Sequence, residues 1–172
     1  MQRITIREAV PRDAEEIVAH MERISREPNN NVLTGPGEYT VTPAEEREII
    51  DGYAASDNSI ALVAVADGKI IGLLHCRGGR RQAARHSASF GITVHADWRD
   101  KGVGSALVQR LIDWGRQNPV IKRLELEVFT TNARAIHVYE KYGFQIEGRK
   151  RRAYCKDGAY EDAYIMALLL EE

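Results

Sequence analysis

The sharpest chemical pattern in the chain is Arg99-Asp100-Lys101-Gly102-Val103-Gly104. Its two glycines, one residue apart, stand where an apolar-periodic helix (Val103, Ala106, Leu107, Leu111, Trp114) begins. A helix N-terminus presents backbone N–H groups without intrahelical partners and the positive end of the helix dipole, so it attracts anions. Glycine lets a phosphate approach the backbone where a Cβ would stand in the way. The same residues also suit an ordinary tight turn, and a Gly-x-Gly arises about once by chance in a chain of this length. Both readings stand at this point. Two related chemistries do not: a dinucleotide fingerprint needs a third glycine where Leu107 sits, and a Walker loop needs Gly-Lys-Ser/Thr where the chain has Gly104-Ser105-Ala106.

Other reactive residue types are less organised. His20, His75, His86, His95 and His137 show no metal-ligand spacing, read as structural or exposed, and call for no metal. Cys76 and Cys155 are too few for a disulfide framework or a multi-cysteine zinc site and read as small buried hydrophobes. The basic run Arg149-Lys150-Arg151-Arg152 reads first as a solvated strand end and second as a contact for an anion.

The 24 lysines and arginines against 25 aspartates and glutamates leave a net charge of −1, which argues against a nucleic-acid binder while leaving room for a local anion site. At 44% hydrophobic and 28% charged, the composition is that of a globular protein, and 172 residues suit one domain over 1–172. The opening Met1-Gln2-Arg3-Ile4-Thr5-Ile6 has no apolar signal core, and no run approaches about 18 apolar residues. A reduced, cytoplasmic protein without a membrane partner is expected.

The elements that must position the loop are legible from periodicity and punctuation. Ile4 to Arg7 alternates as a strand, and Pro11-Arg12-Asp13 opens a helix bearing Ala14, Ile17, Val18, Met21 and Ile24. Asn29 to Gly37 is a loop, and Thr42-Pro43-Ala44-Glu45 starts a second helix with a capping signal. The β-runs Ile60 to Val65 and Ile70 to Leu74 flank Asp67-Gly68, a hairpin signal. Strand Ala88 to Val94, helix Val103 to Arg116 and strand Leu124 to Phe129 form a unit expected to be a right-handed parallel crossover. Helix Ala133 to Tyr142 stops at Gly143, and a hairpin of Phe144 to Arg152 with Tyr160 to Leu170 turns at Lys156-Asp157-Gly158. The order β-α-α-β-β-β-α-β-α-β-β predicts an α/β fold: a mixed sheet with helices on both faces.

In this setting Arg99, Gly102 and Gly104 resemble the Arg/Gln-x-x-Gly-x-Gly/Ala signature of the GNAT superfamily of N-acetyltransferases. Asn132-Ala133-Arg134-Ala135-Ile136-His137-Val138-Tyr139-Glu140-Lys141-Tyr142-Gly143-Phe144 resembles that family's second signature, in the expected order and separation. The resemblance covers essentially the whole chain, most specifically Ala88 to Phe144. It implies a largely antiparallel sheet whose central parallel pair splays to hold acetyl-CoA. Backbone groups at Lys101, Gly102, Val103 and Gly104, with Arg99, Asp100 and Ser105, would then hold the pyrophosphate. Ile92, Thr93 and Val94 would line the cleft and supply an oxyanion N–H. Asn132 would bind the pantetheine or acyl end as well as cap a helix, with Ala135 and Lys141 also on the donor side.

The resemblance further implies that Tyr139 protonates the departing thiolate. Glu127, five residues before Asn132, matches the base of the ribosomal-protein branch; a glutamate alternating with leucine is also a solvated strand face, and water is the competing route for the proton. The pattern from Gly143 to Met166, with Phe90-Gly91-Ile92-Thr93-Val94, is most similar to bacterial L-amino-acid N-acetyltransferases and next to ribosomal-protein ones. The acceptor would sit between the segment Ile24 to Tyr53 and the hairpin around Tyr154 to Tyr164. Acetyl transfer to a small amine is the expectation, with a protein N-terminal acetyltransferase or a non-catalytic acyl-CoA sensor as alternatives and a homodimer as the form many relatives take.

Overall fold

A computed structural model describes residues 3–28 and 30–170. Met1 and Gln2 of the N-terminal reading, and Asn29 of the expected loop, lie outside the described residues. The strands are β1 (Thr5–Glu8), β2 (Ile60–Ala66), β3 (Lys69–Gly78), β4 (Ser87–Val94), β5 (Arg123–Phe129), β6 (Gln145–Lys156) and β7 (Ala159–Leu169). The helices are α1 (Ala14–Arg26), α2 (Pro43–Ala54), α3 (Val103–Gln117) and α4 (Ala133–Lys141). They form one sheet in the order β1-β2-β3-β4-β5-β7-β6, antiparallel everywhere except between β4 and β5.

Local chemistry explains most of these bounds. Asp67 and Gly68 take φ of 49° and 76°, and Asp157 and Gly158 take 50° and 79°, so both hairpins close on two left-handed residues that suit the right-handed twist of their strands. Thr42 Oγ1 accepts the Glu45 N–H at 3.3 Å while a Glu45 carboxylate oxygen accepts the Thr42 N–H at 2.8 Å, a reciprocal cap that starts α2 at Pro43. Pro11 to Asp13 form a short 3-10 turn, so α1 begins only at Ala14. The strand β3 runs on through Gly78, past the end of its apolar run at Leu74.

The sheet is covered on both faces. On one, α3 and α4 bury Val103, Leu107, Leu111 and Tyr139 against Leu62, Leu74, Phe90, Leu124 and Leu126. On the other, α1 and α2 bury Ala14, Ile17 and Ile50 against Val63, Ile70 and Leu73. Gly72 of β3 lets α3 come close: a Cβ there would stand 3.0 Å from Leu107 Cδ1 and 3.2 Å from Val103 Cγ1. The first turn of α3 is thus seated on the middle of the sheet.

The feature that shapes the site is the parallel pair. Strands β4 and β5 share three rungs, Ser87 with Arg123, Ala88 with Leu124 and Ser89 with Glu125, and then separate. Beyond that point β4 stays paired to β3 as far as Val94 opposite Gly72, and β5 stays paired to β7 as far as Phe129 opposite Ala163. A wedge therefore opens in mid-sheet. Because Leu107 is fully buried beneath this region, Leu107→Ala is expected to cost about 2–5 kcal/mol; urea denaturation giving a loss below about 1 kcal/mol would refute the seating of α3 on Gly72.

Candidate active site

The wedge is lined by backbone. His95 N–H donates to the Ile71 carbonyl at 2.9 Å and Gly79 N–H to the Ser87 carbonyl at 3.0 Å. Antiparallel pairing alternates, so the peptide groups of Thr93 and Gly91 face β3, and those of Phe90, Ile92 and Val94 face the gap. Side chains alternate as well. Ile92 and Val94 pack on the α3/α4 core, while Thr93 Oγ1 lies 2.9 Å from Nε2 of the fully buried His20 on α1. Burial pushes the His20 pKa down to about 4, so Thr93 meets a neutral imidazole. The structure thus places Ile92 and Val94 on the gap and turns Thr93 toward α1.

At the open end of β4, Asp100 and Gly102 take φ of 58° and 81°. Gly102 is needed for its backbone, and this accounts for the tight-turn reading at that position. Gly104 is different: it is helical, and a Cβ built on it would meet only Val94 Cγ2, at an ordinary 3.9 Å. Neither packing nor dihedral angle demands glycine at 104. The first N–H groups of α3, at Val103, Gly104 and Ser105, precede the first intrahelical bond, from Ala106 N–H to the Gly102 carbonyl at 2.9 Å. Cations flank this end. The Lys101 ammonium sits 5.2 Å from the Trp98 ring centroid, and Arg134 of α4 reaches Asp100 at 3.1 Å.

Arg99, by contrast, turns inward. Its Nε donates to the Val94 carbonyl at 3.0 Å, and its Nη2 pairs with the Glu27 carboxylate. The other Glu27 oxygen accepts the Ala96 N–H at 2.9 Å. Glu27 immediately follows α1, so this partly buried latch ties the end of β4 and the loop after it to the first helix. Arg99 thus acts on the backbone before α3 rather than presenting its guanidinium at that helix end.

The closed end of the wedge carries Tyr139, 5% exposed, with its ring 5.9 Å from that of Phe90 and 5.8 Å from that of Phe144. Phe90 is the first β4 residue past the last shared rung. No described residue hydrogen-bonds the Tyr139 hydroxyl, and burial pushes its pKa up, so the phenol stays protonated and able to donate. Asn132 caps α4, its Oδ1 accepting the Ala135 N–H at 3.2 Å, which leaves its amide NH2 unspent. Lys141 is exposed at the opposite end of α4, 5.8 Å from the Tyr142 ring centroid.

Glu127 projects from the other face of β5. It accepts from Lys150 Nζ at 2.6 Å and Tyr154 OH at 2.7 Å. Partial burial alone would raise its pKa, but these two bonds and the lysine charge outweigh it and hold the carboxyl below its ordinary range. Both partners reach it because a bulge compresses β6: Lys150 lies opposite Ala163 and Tyr154 opposite Glu161, four residues over two. Part of the basic run is paired here: Lys150 with Glu127 and Arg149 with Asp162, while the Arg152 guanidinium carbon lies 5.2 Å from the Tyr160 ring centroid. Arg149 pairs with Asp162 at 2.7 Å, and Asp162 also accepts the N–H of left-handed Arg152 at 2.7 Å.

The segment after α1 and the β6–β7 hairpin are in contact. Lys156 Nζ, at the tip of the β6–β7 hairpin, donates to Asn30 Oδ1 at 2.6 Å and the Val32 carbonyl at 3.2 Å. Asn30 Nδ2 in turn donates to the Ile24 and Glu27 carbonyls at 2.9 Å, closing the end of α1. Glu45 is consumed by its cap, and buried Glu46 accepts from Tyr39 OH at 2.9 Å. Glu27, Asn30 and Arg134 were not singled out by sequence reasoning; each acts on a partner far along the chain, and no local pattern signals that. Among the described residues no group of three or more His, Cys, Asp or Glu could hold a metal ion, and no helix is long and apolar enough to cross a membrane.

Residues 19–144 match the model of the acetyltransferase (GNAT) family. The L-amino acid N-acetyltransferase AaaT of Escherichia coli K12 is 43% identical over 106 residues, 62% of this chain and 65% of that protein. The ribosomal protein bS18-alanine N-acetyltransferase of the same strain is 42% identical over 79 residues, 46% of this chain and 53% of that protein. The chain thus spans less than two thirds of either. A crystal structure of a GNAT-family acetyltransferase from Streptococcus pneumoniae superposes with a TM-score of 0.94 at 33% identity, covering 98% of this chain and all of that one.

The latch is open to a double-mutant cycle. Glu27→Ala and Arg99→Ala are each expected to cost about 1–3 kcal/mol, and the double variant clearly less than their sum. Strictly additive losses in thermal or urea unfolding would show that the two side chains do not act together.

Proposed function

The chain belongs to the acetyltransferase (GNAT) family, and on that premise we propose that it transfers an acetyl group from acetyl-CoA to the amine of a free L-amino acid or a similar small metabolite. The observation that carries this reading is the wedge: two parallel strands that stop pairing after three rungs, with an anion-seeking helix end at its mouth and a protonated phenol at its apex. An extended pantetheine arm can take the peptide groups of Ile92 and the N–H of Val94 that β5 leaves unpaired, the Val94 carbonyl being held by Arg99. Its pyrophosphate then meets the N–H groups of Val103, Gly104 and Ser105, where the absent Cβ of Gly104 gives room. Ala135 and the free amide of Asn132 stand beside the arm, and Lys101 and Arg134 add charge. Ser105 adds a hydroxyl.

The chemistry is attack of a neutral amine on the thioester carbonyl. The developing oxyanion is stabilised by a β4 N–H facing the gap. As the tetrahedral intermediate collapses, the C–S bond breaks and Tyr139 donates its proton to the thiolate. The amine, largely protonated at neutral pH, first gives up a proton. Glu127 is the carboxylate on the acceptor side placed to take it, directly or through water. Free amino acids are favoured over peptide N-termini by the higher coverage of the amino-acid enzyme and by the closing of the acceptor side by Lys156 on Asn30.

Two measurements test these roles. Tyr139→Phe is expected to keep acetyl-CoA binding and lose about 10²–10⁴-fold in kcat; full turnover would remove Tyr139 as the acid and favour a water-borne proton. Because the Glu127 carboxyl titrates below its ordinary range, it is ionised throughout pH 5–9, and a limb rising through neutrality reports deprotonation of the acceptor. Glu127→Gln is expected to lower kcat/KM at pH 7 by about 10²-fold and to recover as pH passes the amine's pKa. Equal activity of variant and parent at pH 7 would exclude Glu127 as proton acceptor.

A further inference from the structure

The acceptor side of the wedge has a charge pattern of its own. Along β3 and β4 the pairs Leu73–Thr93, His75–Gly91 and Arg77–Ser89 step toward the apex, and Ser89 also forms the last rung with Glu125 of β5. Thr93 meets His20 of α1, and a Cβ on Gly91 would stand 2.9 Å from the His75 ring, so this row of side chains projects on the α1/α2 face. The opposite face of the apex is filled by Phe90, Tyr139 and Phe144. An acceptor therefore reaches the thioester from the side that bears His75, Arg77 and Glu127.

The cations on that side differ sharply in what already neutralises them. Arg123 is held by Glu125 at 3.0 Å and Glu147 at 2.5 Å, and Lys150 by Glu127 at 2.6 Å. Among the described residues Arg77 has no carboxylate within 4 Å. Its Nε donates to Tyr53 OH at 2.6 Å and its guanidinium carbon lies 5.2 Å from the Tyr53 ring centroid. Buried Glu46 exerts a charge interaction on it without contact. The tyrosine fixes the stem and one N–H and leaves the outer nitrogens of the fork unpaired, a geometry that suits a carboxylate bidentately.

We propose that Arg77, oriented by Tyr53, receives the carboxylate of the acceptor, so that the substrate is an α-amino acid bound through both of its charged groups. This rests on the acetyl-transfer reading and names the substrate class of that same site. In an α-amino acid the amine and the carboxylate share one carbon, so a carboxylate site must lie beside the apex; Arg77 is one strand, about 4.8 Å, from the last rung. The unneutralised charge on β3 then fixes the carboxylate end of the zwitterion and leaves its amine toward Glu127 and the wedge. A polyamine offers nothing to Arg77 and is repelled by it, and a peptide N-terminus lacks the carboxylate.

The test compares L-alanine, L-leucine and L-phenylalanine with their carboxamides on the full chain, by thiol release and by calorimetry of the amino acid on the CoA complex. In the parent the acid is expected to be preferred. Arg77→Gln should reduce the acid-to-amide preference in kcat/KM roughly 10- to 100-fold, acting through KM for the acid, with Arg77→Lys intermediate and KM for acetyl-CoA unmoved. The proposal is overturned if acid and amide fall together, if neither falls, or if the parent prefers amides. Should the parent turn over no amine, acetyl transfer fails as a reading, and calorimetry still decides the subsite: amino-acid binding lost in Arg77→Gln upholds it, and binding absent or unchanged removes it.

Discussion

Strands β4 and β5 must lie side by side without pairing beyond their third rung, and the rest of the molecule is arranged around that constraint. A parallel pair left to itself would zip, since each added rung satisfies two peptide groups that otherwise need a partner. Here each strand keeps a full antiparallel partner on its outer side. Antiparallel pairing to β3 holds β4 along its whole length, and antiparallel pairing to β7 does the same for β5. The Glu27–Arg99–Val94 latch occupies a carbonyl at the open end of β4. The peptide groups left facing the gap are an unmet demand that a chain-like ligand with its own amides can answer.

The end of α1 carries a second share of this organisation. Within four residues, Glu27 fixes the backbone after β4 and Asn30 gathers the carbonyls of α1 while accepting the ammonium of Lys156. Cationic charge at a helix C-terminus is favourable in itself, and here it also ties the β6–β7 hairpin to the end of α1. The loop after β4 and the β6–β7 hairpin are thus both tied to the end of α1.

Much of this was legible beforehand, for reasons that are local. Two Asp-Gly pairs declared their hairpins because few other residues accept two successive left-handed conformations; Thr42-Pro43-Ala44-Glu45 declared a helix start because its cap is made within four residues. The glycine loop, Asn132 and Tyr139 fell in register with a family signature, and the alternation of Leu124, Leu126 and Val128 put Glu127 on the face where Lys150 and Tyr154 find it. What stayed hidden depends on distance along the chain. Arg99 reads as an anion ligand until Glu27, 72 residues earlier, is seen to hold it. Arg77 lies just past the apolar run that marks β3, and polar residues there look like the end of a strand. Only the sheet register shows that His75 and Arg77 continue it, on the same face as α1 and α2.

The edges of the sheet carry a consequence of their own. One edge strand, β1, is only four residues long, which gives a foreign strand little to grip; the other, β6, is twelve residues long and would be a template for unwanted pairing. Its middle is the basic run Arg149 to Arg152, interrupted by the bulge and by the left-handed Arg152. Clustered positive charge repels a second copy of the same strand, and the kink breaks the flat ladder it would need. The segment that presents Lys150 and Tyr154 to Glu127 is therefore also a poor template for a second strand.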